Sequence, residues 1–475
     1  MRLLAGIDVG TTGVKAIAIS PDGEVVARAE RSYPLSTPRP GWSEQDPEDW
    51  WQASEAALAE LRGEIAGIGL SGQMHGLVVL DAEDRVIRPA ILWNDQRTAA
   101  ECAEIEERIG LARLIELTGN RALPGFTAPK LVWLRRHEPE AYAQVHRVLL
   151  PKDCVRLRLT GRHAIDATDA SGTLLLDVAG RRWSDDVLEA LELPREWLPD
   201  VLESPEVSGT TAEGIPVAAG AGDQAAAALG VGVVDAGGPA SVVLGTSGVV
   251  FAALPAFRSD PEARVHVFCH AVPDRWHAMG VMLSAAGSLQ WFRDRLAPGA
   301  SFDELVAEAA VWPPGAEGLL FAPYLAGERT PHADPAARGA FVGLELRHDR
   351  GALCRAVLEG VAYGLRDSFE LLRELGVPLT VARASGGGAR ARLWLEIVAS
   401  VLGIPLELSV VEEGSAFGAA LLGGVAAGVF SDVHDAVARC VRVRDTVEPD
   451  PAWTAAYEEG YARYRRLYPA ISEVV

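Results

Sequence analysis

The stretch Leu3 to Val9 (LLAGIDV) is apolar or small throughout except for one carboxylate, Asp8. The turn Gly10-Thr11-Thr12-Gly13 follows, and then a second apolar run, VKAIAIS. This pattern predicts a buried strand, a tight turn and a second strand. It returns about half a chain later: Ala240 to Leu254 reads ASVVLGTSGVVFAAL, with Gly245-Thr246-Ser247-Gly248 between two apolar runs. Two strand–turn–strand units so spaced predict duplicated lobes facing each other across a cleft.

The elements between the hairpins read as mixed α/β. Pro21-Asp22-Gly23 turns the chain into a third strand, EVVARAERSY. A helix is predicted after Asp46, which suits an N-cap, with Pro47 at its first position and Glu48 and Asp49 at the positive end of its dipole. The strand Ile65 to Leu70 runs into Gln73-Met74-His75-Gly76, polar residues between glycines at a strand end. That arrangement suits a ligand-facing loop, although Met74 and His75 also suit the filling of a packing gap. The strand Ile215 to Gly220 ends at Ala221-Gly222-Asp223-Gln224, where an Ala-rich helix begins. Asp223 is therefore placed either as a helix cap or as a ligand contact.

In the second half, VMLSAAGSLQWFRDRL reads as helical. Asp349 to Leu375 reads as a long helix with Leu353, Val357, Val361 and Leu365 as its apolar stripe. A strand, LTVARAS, then meets Gly386-Gly387-Gly388-Ala389-Arg390, where glycines let a flat group lie against backbone. Gly414-Ser415-Ala416-Phe417-Gly418 opens a helix whose small residues permit close packing. Asp166, Asp169 and Asp177 are read as N-caps or turn residues rather than as a metal set.

Composition narrows the function classes. At 475 residues the chain holds two domains, with boundaries expected at 1–235 and 236–475. A net charge of −21 argues against nucleic acid and anionic membranes as partners. The five cysteines are scattered, odd in number and without a CxxC pair, which favours a reducing cytoplasm over a disulfide frame or zinc site. No secretory signal is read, because Asp8 and Gly10 interrupt the N-terminal run. The uncharged stretch 236–257 is long enough to span a bilayer, but its Gly237-Gly238-Pro239 and central GTSG turn favour two short strands.

The chemistry suggested by the hairpins is phosphate binding. Glycine N–H groups and Thr hydroxyls in a tight turn hold phosphate oxygens, and Asp8 can hold Mg²⁺ directly or through water. The same residues also suit an Asx-type hairpin turn. Lys15, near the first turn, reads either as a phosphate cation or as a lysine reaching solvent.

Together GIDVGTTGVK, GWSEQDPEDWW, GQMHG, ILWNDQR, FTAPKL, LLPKD, GDQAAAALGVG, LGTSGVVF, ERTPH and GGGAR resemble the FGGY carbohydrate kinase family over nearly the whole chain. The phosphate turns and GGGAR are shared with the wider sugar-kinase, actin and heat-shock chaperone ATPase superfamily. GQMHG resembles the sugar segment of members acting on D-xylulose. The resemblance implies two ribonuclease-H-like domains with a central cleft, the sugar mainly on the first and ATP mainly on the second. It implies ATP-dependent phosphorylation of D-xylulose, with Asp223 as proton acceptor and Met74, His75, Asp223 and Gln224 contacting the sugar. Asp8 serves Mg²⁺, and Thr11, Thr12, Gly245, Thr246, Ser247, Gly387, Gly388 and Ala389 serve ATP. Gln224 departs from the family, which usually carries Asn there. A related ketose such as D-ribulose is the rival substrate, and a non-catalytic sugar sensor the rival class. Oligomeric state is left open, a homodimer included.

Overall fold

The first hairpin closes as its pattern predicts. In the computed structural model, which describes residues 2–474, Arg2–Val9 pairs antiparallel with Gly13–Ile19, and Leu3, Leu4, Ala5, Ile7 and Val9 are buried. The hairpin's other neighbours are Val25–Ser32 on the outer side and Glu64–Gly72, parallel to Arg2–Val9, on the inner side. Pro216–Ala218 and Val207–Thr210 extend this seven-stranded sheet, and the short strand Ala221–Gly222 pairs with the end of Glu64–Gly72.

The second sheet, also seven-stranded, repeats the plan. Ala240–Leu244 and Gly248–Leu254 form the antiparallel hairpin, and Ala382–Ser385 lies parallel to the first of them. Trp276–Met282 and His266–Cys269 continue on one side, Leu406–Ser409 and Val443–Val447 on the other. Each sheet therefore brings a glycine turn to the carboxyl end of a strand that has a parallel neighbour, where open α/β sheets bind ligands.

The helix caps follow the residue chemistry. Pro47–Glu60 starts where Asp46 accepts from Glu48 N at 3.0 Å, and Arg350–Glu374 where Asp349 accepts from Ala352 N at 3.0 Å. Val357, Val361 and Leu365 of the predicted stripe are buried, with Leu353 packed at the margin. One expectation needs correcting: Val281 and Met282 close the strand Trp276–Met282, and the helix begins only at Ala286. The chain there pairs with Gly248–Leu254, and that sheet bonding overrides the local helical pattern.

Helix Gly414–Ala426, from the C-terminal half, lies on the N-terminal sheet. Glycines set this approach. A Cβ on Gly6 would sit 1.9 Å from Ala416 O, and one on Gly69 would sit 1.8 Å from Ala419 O. Such overlap cannot be relieved by a side-chain rotation, so alanine at either position would cost about 1–3 kcal/mol or more. Asp223–Gly230 packs against the same helix, where a Cβ on Gly418 would meet Ala226 O at 1.9 Å. No helix among the described residues is long and apolar enough to cross a membrane.

Candidate active site

Three adjacent strand ends of the first sheet carry the predicted chemistry. Asp8 stands opposite Ser71, and Ser71 stands opposite Ala221, two residues before Asp223. Register alone thus brings Asp8 and Asp223 to the same end of the sheet.

Asp8 is desolvated, which raises its pKa, with the nearby Ser71 hydroxyl and the charge of Lys15 opposing. Its Oδ1 is buried without a hydrogen-bond partner. An orphaned carboxylate oxygen of this kind is costly unless a cation meets it. Lys15 does not fill that place, because its Nζ turns to Glu30 at 3.2 Å on the surface. Asp223 is pushed up to about 7, first by burial and then by the charge of Asp8, while the backbone and side chain of Gln224 favour the ionised form. Asp223 is not the cap of its helix. Helix Asp223–Gly230 begins at Asp223, and the cap position is Gly222.

The first turn is braced by its neighbours. Thr11 Oγ1 donates to Gln73 Oε1 at 3.3 Å and accepts from Trp93 Nε1 at 2.9 Å, so its hydroxyl is committed within the protein. Gln45 Nε2 donates to Thr11 O at 2.7 Å, and Gln73 Nε2 to Gln45 Oε1 at 3.0 Å. Tyr33 O–H donates to Gly10 O. Thr12 is exposed at the tip. Gln73, quoted as part of GQMHG, therefore braces the Gly10–Gly13 turn.

Met74 and His75 follow it. The Met74 side chain lies between two glycines: a Cβ on Gly222 would reach its Cγ at 2.7 Å, and one on Gly172 its Cε at 3.0 Å. His75 adopts φ 67°. Its Nδ1 lies 2.6 Å from Gly172 O, and because a carbonyl only accepts, Nδ1 carries the proton. Burial, opposed by that hydrogen bond and aided by the charges of Lys130 and Arg329, pushes the ring down to about 3. A neutral ring with Nδ1–H leaves Nε2 as an acceptor for a hydroxyl proton. Lys130 Nζ at 2.9 Å and Thr127 Oγ1 at 3.0 Å both donate to His75 O and hold the left-handed turn. Lys130 lies in the quoted stretch FTAPKL, but its role is visible only in three dimensions.

On the second sheet, Gly245, Thr246, Gly387 and Gly388 line a cavity of about 860 Å³ walled by Phe302 and Val306. Thr246 O accepts from Ala285 N at 2.9 Å and Gly245 O from Ala286 N at 2.7 Å, which ties the turn to the following helix. A Cβ on Gly387 would meet nothing within 4 Å, so its face is open, whereas one on Gly388 would meet Leu244 Cβ at 2.9 Å. Ser247 is exposed at the hairpin tip. Ala389 is turned away from the large cavity and lines a smaller one behind the turn. The predicted residues thus fall into two groups, buried carboxylates with a neutral histidine on the first sheet, glycine-lined and part-apolar on the second.

Of the three aspartates read as caps or turns, Asp166 caps Ala167–Ser171 and Asp177 accepts from Gly180 N at 3.0 Å. Asp169 does neither: it is buried 2.9 Å from Lys152 Nζ.

Two lobes of the actin-like ATPase fold, with buried carboxylates and a neutral histidine at the strand ends of one and a nucleotide-sized cavity on the other, define a sugar kinase. Residues 3–230 match the N-terminal domain of the FGGY family of carbohydrate kinases, and residues 240–427 its C-terminal domain. The chain belongs to that family. It is 45% identical over 478 residues to the xylulose kinase of Escherichia coli (strain K12), with 98% of both chains covered. Among solved structures, the xylulose kinase of Brucella ovis is similar at 44% identity and TM-score 0.94, with both chains covered completely (100%). That of Rhodospirillum rubrum is similar at 34% identity and TM-score 0.93, with 99% of each chain covered.

Proposed function

We propose that the protein transfers the γ-phosphoryl group of ATP to D-xylulose, giving D-xylulose 5-phosphate and ADP. The observation that carries this reading is the pairing of Asp223, held at about 7, with a neutral His75 one strand away. A base whose pKa lies near neutrality takes a proton from a hydroxyl as that oxygen attacks phosphorus. The sugar O–H proton passes to Asp223, a new O–P bond forms, and the bond from the γ-phosphorus to the ADP oxygen breaks. His75 Nε2 accepts from a second sugar hydroxyl and orients the ketose. Met74 walls the pocket, and Gln224 steadies the Asp223 carboxylate.

The cavity beside Gly387 takes adenosine, and the two glycine turns approach the phosphates. Residues 1–235 then supply sugar contacts and the base, and 236–475 the nucleotide site. The partnerless Oδ1 of Asp8, whose charge is close enough to raise the pKa of Asp223, fits a divalent cation. Magnesium held there would neutralise charge on the phosphates during transfer. Five free, buried cysteines suit a reducing cytoplasm.

Coupled ADP-release assays over a panel of ketoses and polyols test the reading. D-xylulose should give the highest kcat/KM. A higher value for D-ribulose or glycerol would overturn the substrate, and no sugar-dependent ADP release would overturn catalysis.

A further inference from the structure

The strand end that presents Asp223 is tied, one residue upstream, to buried charges for which phosphoryl transfer itself has no use. Lys152, on helix Pro151–Thr160, has Nζ 2.7 Å from Asp153 Oδ1, 2.5 Å from Asp166 Oδ2 and 2.9 Å from Asp169 Oδ2. The three carboxylates alone have the spacing of a metal site, but the ammonium occupies their centre. Arg156 joins at 3.0 Å from Asp153 and donates through Nη1 to Ala219 O at 2.7 Å. All five side chains are fully buried. Burying such a set is rarely a net gain in stability over apolar packing, so a role in fixing geometry is the better account of it.

The geometry leads from Lys152 to the base in a single line of contacts. Lys152 fixes Asp166, whose Oδ1 accepts from Thr168 N at 2.9 Å and also from the Thr168 hydroxyl. With its proton committed to a carboxylate, Thr168 Oγ1 can only accept on its other side. There it receives Gly222 N–H at 2.7 Å. Gly222 caps the helix that begins with Asp223. On the far side Ser415, from the C-terminal half, donates to Asp223 O at 3.1 Å. Charge-assisted hydrogen bonds in a dry chain polarise one another and hold their members stiffly.

We propose that Thr168 is a positioning residue for phosphoryl transfer, its hydroxyl transmitting the rigidity of the Lys152–Asp166 pair to the backbone that aims Asp223. This rests on Asp223 being the base. The geometry asks for an oxygen acceptor at this position, since a methyl in its place leaves Gly222 N–H buried and unpaired and frees the strand end to shift. A displacement of roughly 1 Å at a reacting group can cost about 10²-fold in rate.

The test compares Thr168→Val, Thr168→Ser and Asp223→Asn by steady-state kinetics, sugar titration calorimetry and thermal melts. In Thr168→Val, kcat should fall by about 10- to 100-fold while KM for ATP and sugar affinity change less than about 3-fold. Thr168→Ser keeps the acceptor and should retain at least about half of parental kcat. If Thr168→Val keeps kcat while Asp223→Asn loses it, the relay is wrong and the base reading stands. If Asp223→Asn itself keeps kcat, the base reading is wrong. Should Thr168→Val fail to fold, Thr168→Ala replaces it. If both fail while Thr168→Ser is fully active, the hydroxyl serves stability and the proposal is overturned.

Discussion

Replacing Asp223 by Asn separates catalysis from stability in opposite directions. As the first residue of its helix, Asp223 caps nothing, so no capping energy is lost. Its pKa rises from 3.8 to about 7 because burial and the charge of Asp8 penalise the ionised form. A folded-state pKa above the unfolded one means the native protein binds the proton more tightly. The penalty is therefore absent below the unfolded pKa, grows as pH rises between the two values, and is complete above the folded one. A shift of about three units corresponds to at most about 4 kcal/mol, and the partial exposure of Asp223 lowers this to about half.

Asn removes the charge, so at about pH 8 the unliganded variant should be stabler by about 1–2 kcal/mol, a rise of roughly 1–4 °C in Tm. Near pH 4 the difference should vanish. Over the same substitution kcat should fall by about 10²–10⁴-fold, since an amide takes no proton at neutral pH. Differential scanning calorimetry at both pH values, with ADP-release kinetics, supplies the readouts. A variant that keeps more than about a tenth of parental kcat would refute the base, and one whose Tm change is the same at both pH values would refute the desolvation argument.

Asp8→Ala should weaken magnesium-dependent turnover while sugar affinity by calorimetry stays near parental; unchanged ATP and magnesium kinetics would show that Asp8 is only a hairpin residue. Because His75 is held at about 3, it is neutral across the physiological range, and in Asp223→Asn, which removes the group held at about 7, sugar affinity should stay flat between about pH 6 and 8; an affinity that still titrates near the ordinary histidine value would contradict the buried, Nδ1-protonated ring. Gly387→Ala places its Cβ in open space and should leave Tm unchanged while raising KM for ATP several-fold, whereas Gly388→Ala should lower Tm through its clash with Leu244; the opposite order would move the nucleotide off the Gly387 face.

Local chemistry along the chain was sufficient for the two glycine hairpins, for the helix after Asp46-Pro47 and for the helix after Asp349. In each, the deciding contacts lie within a few residues, so apolar period, turn residues and caps carry the information. The family motifs likewise mark Asp8, Met74, His75 and Asp223 without any fold in hand. Other features depend on partners far along the chain, and no local pattern encodes them. Val281 and Met282 become strand because Gly248–Leu254 lies beside them. Asp169 becomes one member of a buried charge cluster because Lys152 lies next to it. Thr11 and Thr12 are adjacent and alike in sequence, yet Trp93 and Gln73 engage one hydroxyl and leave the other at the tip. The small residues after Gly414 announce close packing, but only the tertiary structure decides that they meet Gly6 and Gly69 of the other half's sheet. Burial and charge at Asp223 are of the same kind: the residue is written in the sequence, while its pKa is set by Asp8 and by the solvent that the surrounding elements exclude.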